Sequence, residues 1–166
     1  MTFASLPRYV LNCGLLLLPA IAWNFGLTQH LPAAFQPAEF WREIPASLAF
    51  TENALRIAVF VLPFLMPLDL ARPGARRALL VFIVGTLVYF ASWLALILYP
   101  DSAWSRSLLG FAAPAYTPLL WLVGIALLGE RLFWVAFYRW WMYALLSVAF
   151  LFAHIAHAAL VFFRNP

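Results

Sequence analysis

The chain contains no lysine, a single cysteine and few charges of either sign. With Cys13 alone, no internal disulfide can form. A multi-cysteine zinc or iron–sulfur centre is excluded for the same reason. Charged residues are 10% of the chain, against about a quarter in a soluble domain. The ten basic residues are all arginine and lie scattered, so no basic run exists to follow a nucleic-acid backbone. Nucleic acid is therefore not an expected partner.

What is present is apolar surface. Apolar residues make up 66% of the 166, against about half in a soluble domain. Mean hydropathy is +0.93. These values exclude a soluble globular protein and a disordered tail. In lipid the backbone must satisfy its own hydrogen bonds, so the expected fold is an all-α membrane bundle in a single domain over 1–166, with the lipid bilayer as first partner. The abundance of Ala, Leu and Pro, with Arg in place of Lys, matches a high-GC bacterial genome. A bacterial inner membrane is the expected location.

A span needs about 20 residues. Five apolar stretches meet that length, at about 9–27, 53–70, 78–99, 115–136 and 140–163. The first could pass for a signal peptide, with Arg8 before its apolar run, but it reads as a span. Pro32, Pro37 and Pro45 break the link that follows. Within that link Phe40, Ile44 and Leu48 recur every four residues, which predicts a short interfacial helix, a lid at 38–50. Thr51 suits an N-cap and Glu52 a helix start. Pro63 and Pro67 predict a kink in the second span. Asp69, at the end of that span, is expected to be neutralised by Arg72.

Five spans place the termini on opposite sides. Arg8, Arg72, Arg76, Arg77, Arg131 and Arg139 fall on the N-terminal side, and Arg42, Arg56, Arg106 and Arg164 on the other. The positive-inside rule then puts the N-terminus in the cytoplasm and the C-terminus in the periplasm or outside. In that orientation polar residues gather toward the outer leaflet: Asn24, Glu52, Asn53, Arg56, Tyr89, Trp93, Tyr116, Ser147, His154 and His157. These are the candidate ligand-binding residues.

His154 and His157 lie about 15 and 10 Å below the outer end of the fifth span, at 1.5 Å per residue. They share a helix face with Tyr143, Ser147 and Phe150, and the cost of polar groups in lipid turns that face into the bundle. Three roles fit them: hydrogen-bonding glue between helices, proton handling or ligand contact, and a metal pair. Two histidines on one turn cannot sit on opposite faces of a haem. Zinc would need further ligands, and only His30 and some carboxylates remain, so no metal site is assigned. Glu52 and Arg56, four apart, form a helical ion pair at the span's entrance, or hold a guanidinium ready for a phosphate or carboxylate. Asp101, Ser105 and Arg106 read as a solvated loop. Apolar surroundings argue against Cys13 as a nucleophile.

No catalytic motif is present, so the sequence leaves catalytic residues and cofactors open. The leading expectation is an outward-facing polar cavity that binds or moves a small amphiphilic or lipid-like ligand. Alternatives are a membrane enzyme acting on a lipid or isoprenoid, with His154 or His157 as base, and an accessory subunit of a membrane complex. A homodimer is a further expectation, since five spans are few for a transporter and no internal repeat is visible.

Overall fold

The computed structural model describes residues 10–165, which are mainly helical and contain no strand. Tyr9 and Arg8, at the start of the first expected span, lie outside the described residues. A 3-10 turn over Cys13–Leu17 leads into α1, Leu18–Leu27. One helical turn, α2, covers Pro37–Phe40. Then come α3, Ala46–Val61, and α4, Ala75–Leu98. The turns α5, Leu108–Phe111, and α6, Ala113–Tyr116, run into α7, Pro118–Leu128. The last helix, α8, spans Trp140–Arg164.

Among the described residues three helices are long and apolar enough to cross a membrane: α3 with its 3-10 extension to Leu65, α4, and α8. At 1.5 Å per residue α4 and α8 measure about 36 and 37 Å, more than a hydrocarbon core of about 30 Å. Ala113–Leu128 is a shorter apolar helix. Large apolar side chains point outward from the long helices, with Phe152 78% exposed on α8 and Leu80, Leu87 and Leu98 exposed on α4. A surface of this kind is compatible with a membrane protein and costly in water.

The helix limits differ from the sequence expectation in ways that matter for the site. Helix α3 begins at Ala46 behind Pro45, not at 53. Proline is tolerated at a helix start, so Pro45 begins the helix that it was expected to precede as a breaker. Thr51 and Glu52 are therefore interior positions. Instead of a kink, Pro63 starts a 3-10 turn over Leu62–Leu65, after which Met66 is extended and the helix ends. Pro67 bridges to Asn12, with the Cys13 amide donating to the Met66 carbonyl at 2.9 Å. Helix α7 stops at Leu128, and 129–139 is irregular where a span to 136 was expected. The expected interfacial helix is reduced to the single turn α2.

Packing is closest between α4 and α7, with α3 on α8 and α7 on α8. Glycine makes the first crossing tight. A Cβ at Gly124 would stand 2.5 Å from the Phe82 Cα, and one at Gly85 would stand 2.7 Å from the Leu120 carbonyl carbon. Small residues let helix backbones approach where lipid offers no hydrophobic drive. Arg72 does not neutralise Asp69. It pairs with Glu130 at 2.6 Å and donates to the Leu127 carbonyl, tying the 70–77 turn to the end of α7. Asp69 accepts from the Ala71 amide at 3.0 Å instead.

Candidate functional site

Glu52 is fully buried at the contact between α3 and α8. Its position one and a half turns inside α3 brings it opposite the second half of α8. His154 Nδ1 lies 2.8 Å from Oε1, and His157 Nδ1 lies 2.5 Å from Oε2. Arg56, one turn further along α3, also donates to Oε1. Two helices thus supply three polar side chains to one carboxylate. The expected Glu52–Arg56 pair is present, but it lies inside α3 and not at a helix entrance, and the histidines share its carboxylate. Arg56 lies about 15 Å along α3 from Ala46, at 1.5 Å per residue.

Each partner is fixed from behind. Arg56 lies over the Trp41 ring at 5.3 Å and over Phe150 at 5.9 Å, and donates to Asn53 Oδ1 at 3.3 Å. Rings on two sides favour a cation there. The His154 ring stacks on Phe150. His157 is buried, with Nε2 2.8 Å from the Phe40 carbonyl and its ring stacked on Phe40 at 4.2 Å. Arg164, in the last turn of α8, donates to the carbonyls of Glu39 and Arg42. The 37–42 segment is therefore strapped across α8.

The cluster borders a cavity of about 310 Å³. His154 and Arg56 line one side and Asn24, Tyr89 and Trp93 another. Between them the wall is apolar and aromatic, from Phe35, Phe40, Phe60, Phe111, Trp121 and Phe150. Tyr89 donates to Asn24 Oδ1 at 2.5 Å, which leaves the Asn24 amide nitrogen as a donor. Ligand pockets have this make-up, with apolar walls and a few polar groups.

Five of the ten residues singled out from the sequence line this cavity: Asn24, Arg56, Tyr89, Trp93 and His154. Glu52 and His157 stand behind the wall and hold His154 and Arg56. The other three are elsewhere. Asn53 is exposed on the far side of Arg56. Ser147 donates to the Tyr143 carbonyl within its own helix at 2.8 Å, a bond that satisfies the hydroxyl locally. Tyr116 donates to the Leu109 carbonyl at 3.1 Å. Asp101 and Arg106 form an exposed pair away from the cluster. Sequence reasoning missed Trp121, whose only signal was an aromatic ring inside an apolar run, and Phe40 as part of the wall. Among the described residues no group of three His, Cys, Asp or Glu side chains is arranged to hold a metal ion. No protein family matches the chain, and no curated protein or solved structure is significantly similar to it.

Proposed function

We propose that the chain is a multi-pass protein of a bacterial inner membrane whose cavity binds or moves a small amphiphile with an anionic head. The observation that carries this reading is the proton count around Glu52. The Phe40 carbonyl can only accept, so His157 Nε2 carries hydrogen. The 2.5 Å contact between His157 Nδ1 and Glu52 Oε2 needs a hydrogen as well. That is one proton more than a carboxylate and a neutral imidazole hold together. With Arg56 charged, the cluster carries one net positive charge beside an aromatic cavity. A desolvated positive charge favours an oxyanion, and the guanidinium fork suits a carboxylate or a phosphate. The aromatic wall suits an alkyl or isoprenoid tail.

In the proposed topology α1 and Ala113–Leu128 complete five spans, the N-terminus is cytoplasmic and the cavity opens toward the outside. The link at 28–45 then lies at the membrane surface.

Decanoate and decyl phosphate, titrated into the purified chain, test the reading against 1-decanol. Both anions should raise the unfolding temperature, and the neutral alcohol should not. Arg56→Ala should weaken anion binding by about ten- to a hundredfold, the worth of a hydrogen bond to a charged group. Arg56→Lys should restore part of it, because the charge returns without the planar fork. Equal binding of decanol and decanoate would refute the anionic head.

A second reading has its own observation. Glu52 holds His154 by Nδ1, leaving Nε2 as the lone-pair nitrogen of a ring that lines the cavity. A carboxylate-oriented imidazole of that kind is a general base, which supports an enzyme acting on a lipid or isoprenoid. Chemical change of a bound amphiphile, lost in His154→Gln while binding persists, would favour it. A third expectation, a homodimer or an accessory subunit, is tested by the mass of the purified particle.

A further inference from the structure

We propose that the cavity takes up its anion together with one proton, the proton held between Glu52 and His157, and that loss of this proton unlatches the 37–42 segment from α8. The proposal rests on the anion-binding reading above and adds its regulation.

Segment 37–42 is part of the cavity wall through Phe40. Two kinds of contact hold it down. Arg164 donates to the Glu39 and Arg42 carbonyls from the end of α8. His157 donates to the Phe40 carbonyl, stacks on its ring, and meets the Trp41 ring edge-on at 4.6 Å. The segment ends at Glu43, held at φ 54°, a left-handed conformation that a residue with a Cβ disfavours. Arg164, bonded to the carbonyl of the preceding Arg42, holds the chain at the start of that turn.

His157 lies between two acceptors, a carboxylate oxygen at 2.5 Å and a carbonyl oxygen at 2.8 Å. The groups around it are Glu52 and Arg56 on α3, His154 and Arg164 on α8, and Glu39 and Arg42 on the strap. Glu39 and Arg42 pair with each other at 3.1 Å and are partly exposed. With the proton present, both acceptors are satisfied. Without it, the imidazole has one hydrogen for two acceptors. Hydrogen bonds to a charged oxygen are roughly twice as strong as those to a neutral one, so the carboxylate keeps the hydrogen. The Phe40 carbonyl then faces a nitrogen lone pair and the strap loses its central bond. The same loss takes the cluster from one net positive charge to none, which removes the attraction for an anion. Closure of the wall and anion binding therefore depend on one proton.

The test uses the full chain in nanodiscs of neutral lipid, with empty nanodiscs as blank. Decanoate is titrated by calorimetry in pairs of buffers of different ionisation heat, from acid to mildly alkaline pH. Proton uptake per bound decanoate should rise toward one, and Kd should rise by about tenfold per pH unit once the site has lost its proton. Hydrogen exchange of the amides at 38–42, corrected for intrinsic rate, should show protection falling over the same range without ligand. In His157→Gln, whose amide can donate to the Phe40 carbonyl but does not titrate, both pH dependences should vanish. Arg164→Met should loosen the strap at every pH and leave proton uptake intact. Decanoate binding with no proton uptake and flat protection would overturn the proposal and leave anion binding standing. Absence of decanoate binding, with protection still pH-dependent, would sink the anion reading and the coupling built on it.

Discussion

Glu52 and His157 stand 105 positions apart in the chain and meet at 2.5 Å inside the helix bundle. Neither has water to fall back on, since both are fully buried. The carboxylate gathers His154, His157 and Arg56, and through His157 it reaches the Phe40 carbonyl and the strap. One side chain on α3 thereby fixes α8, the 37–42 segment and the polar wall of the cavity.

Removing that carboxylate leaves three donors without an acceptor. Glu52→Ala should cost about 3–5 kcal/mol, as for other buried pairs broken on one side. Glu39→Ala breaks the more exposed ion pair with Arg42 and should cost no more than about 1 kcal/mol. Denaturation of the two variants in the same detergent compares them. Equal losses would mean that the Glu52 cluster does not hold α3 to α8.

The α4–α7 crossing depends on two glycines. Gly124→Leu and Gly85→Leu should each destabilise by about 1–3 kcal/mol or more, because the added atoms meet backbone that cannot move aside as a side chain would. Gly26 on α1 is the control, as nothing lies within 4 Å of an added Cβ. Gly26→Ala should be neutral or stabilising by up to about 1 kcal/mol, the helix-propensity difference. Thermal unfolding of the three variants tests the set, and a harmless Gly124→Leu would show that the two helices are further apart.

Topology is open to direct labelling. With Cys13 buried, an impermeant thiol reagent should modify Asn165→Cys on intact cells and spare Arg76→Cys. The reverse pattern would turn the molecule over and put the mouth of the cavity in the cytoplasm.

Long continuous apolar runs pointed to the helical architecture, because such runs suit spanning helices and not the alternating strands of a barrel. Residue spacing also picked out His154 and His157 on one face of α8, since a period of 3.6 follows from local geometry. Helix ends were less legible: Pro45 starts α3 and Pro63 follows its end, and proline is tolerated in a first turn but breaks an interior, so its effect depends on where the helix begins. The meeting of Glu52 with both histidines depended on whether α3 and α8 are neighbours, which local spacing does not show. Local spacing paired Glu52 with Arg56, and that pair exists, but the histidines reach the same carboxylate only because α3 packs on α8. Ser147 and Tyr116 looked like site residues by type, yet each spends its hydroxyl on a nearby carbonyl. Sequence fixes what a side chain can bond to. Which partner it meets is decided by packing between helices, where glycines such as Gly85 and Gly124 set how closely two backbones approach.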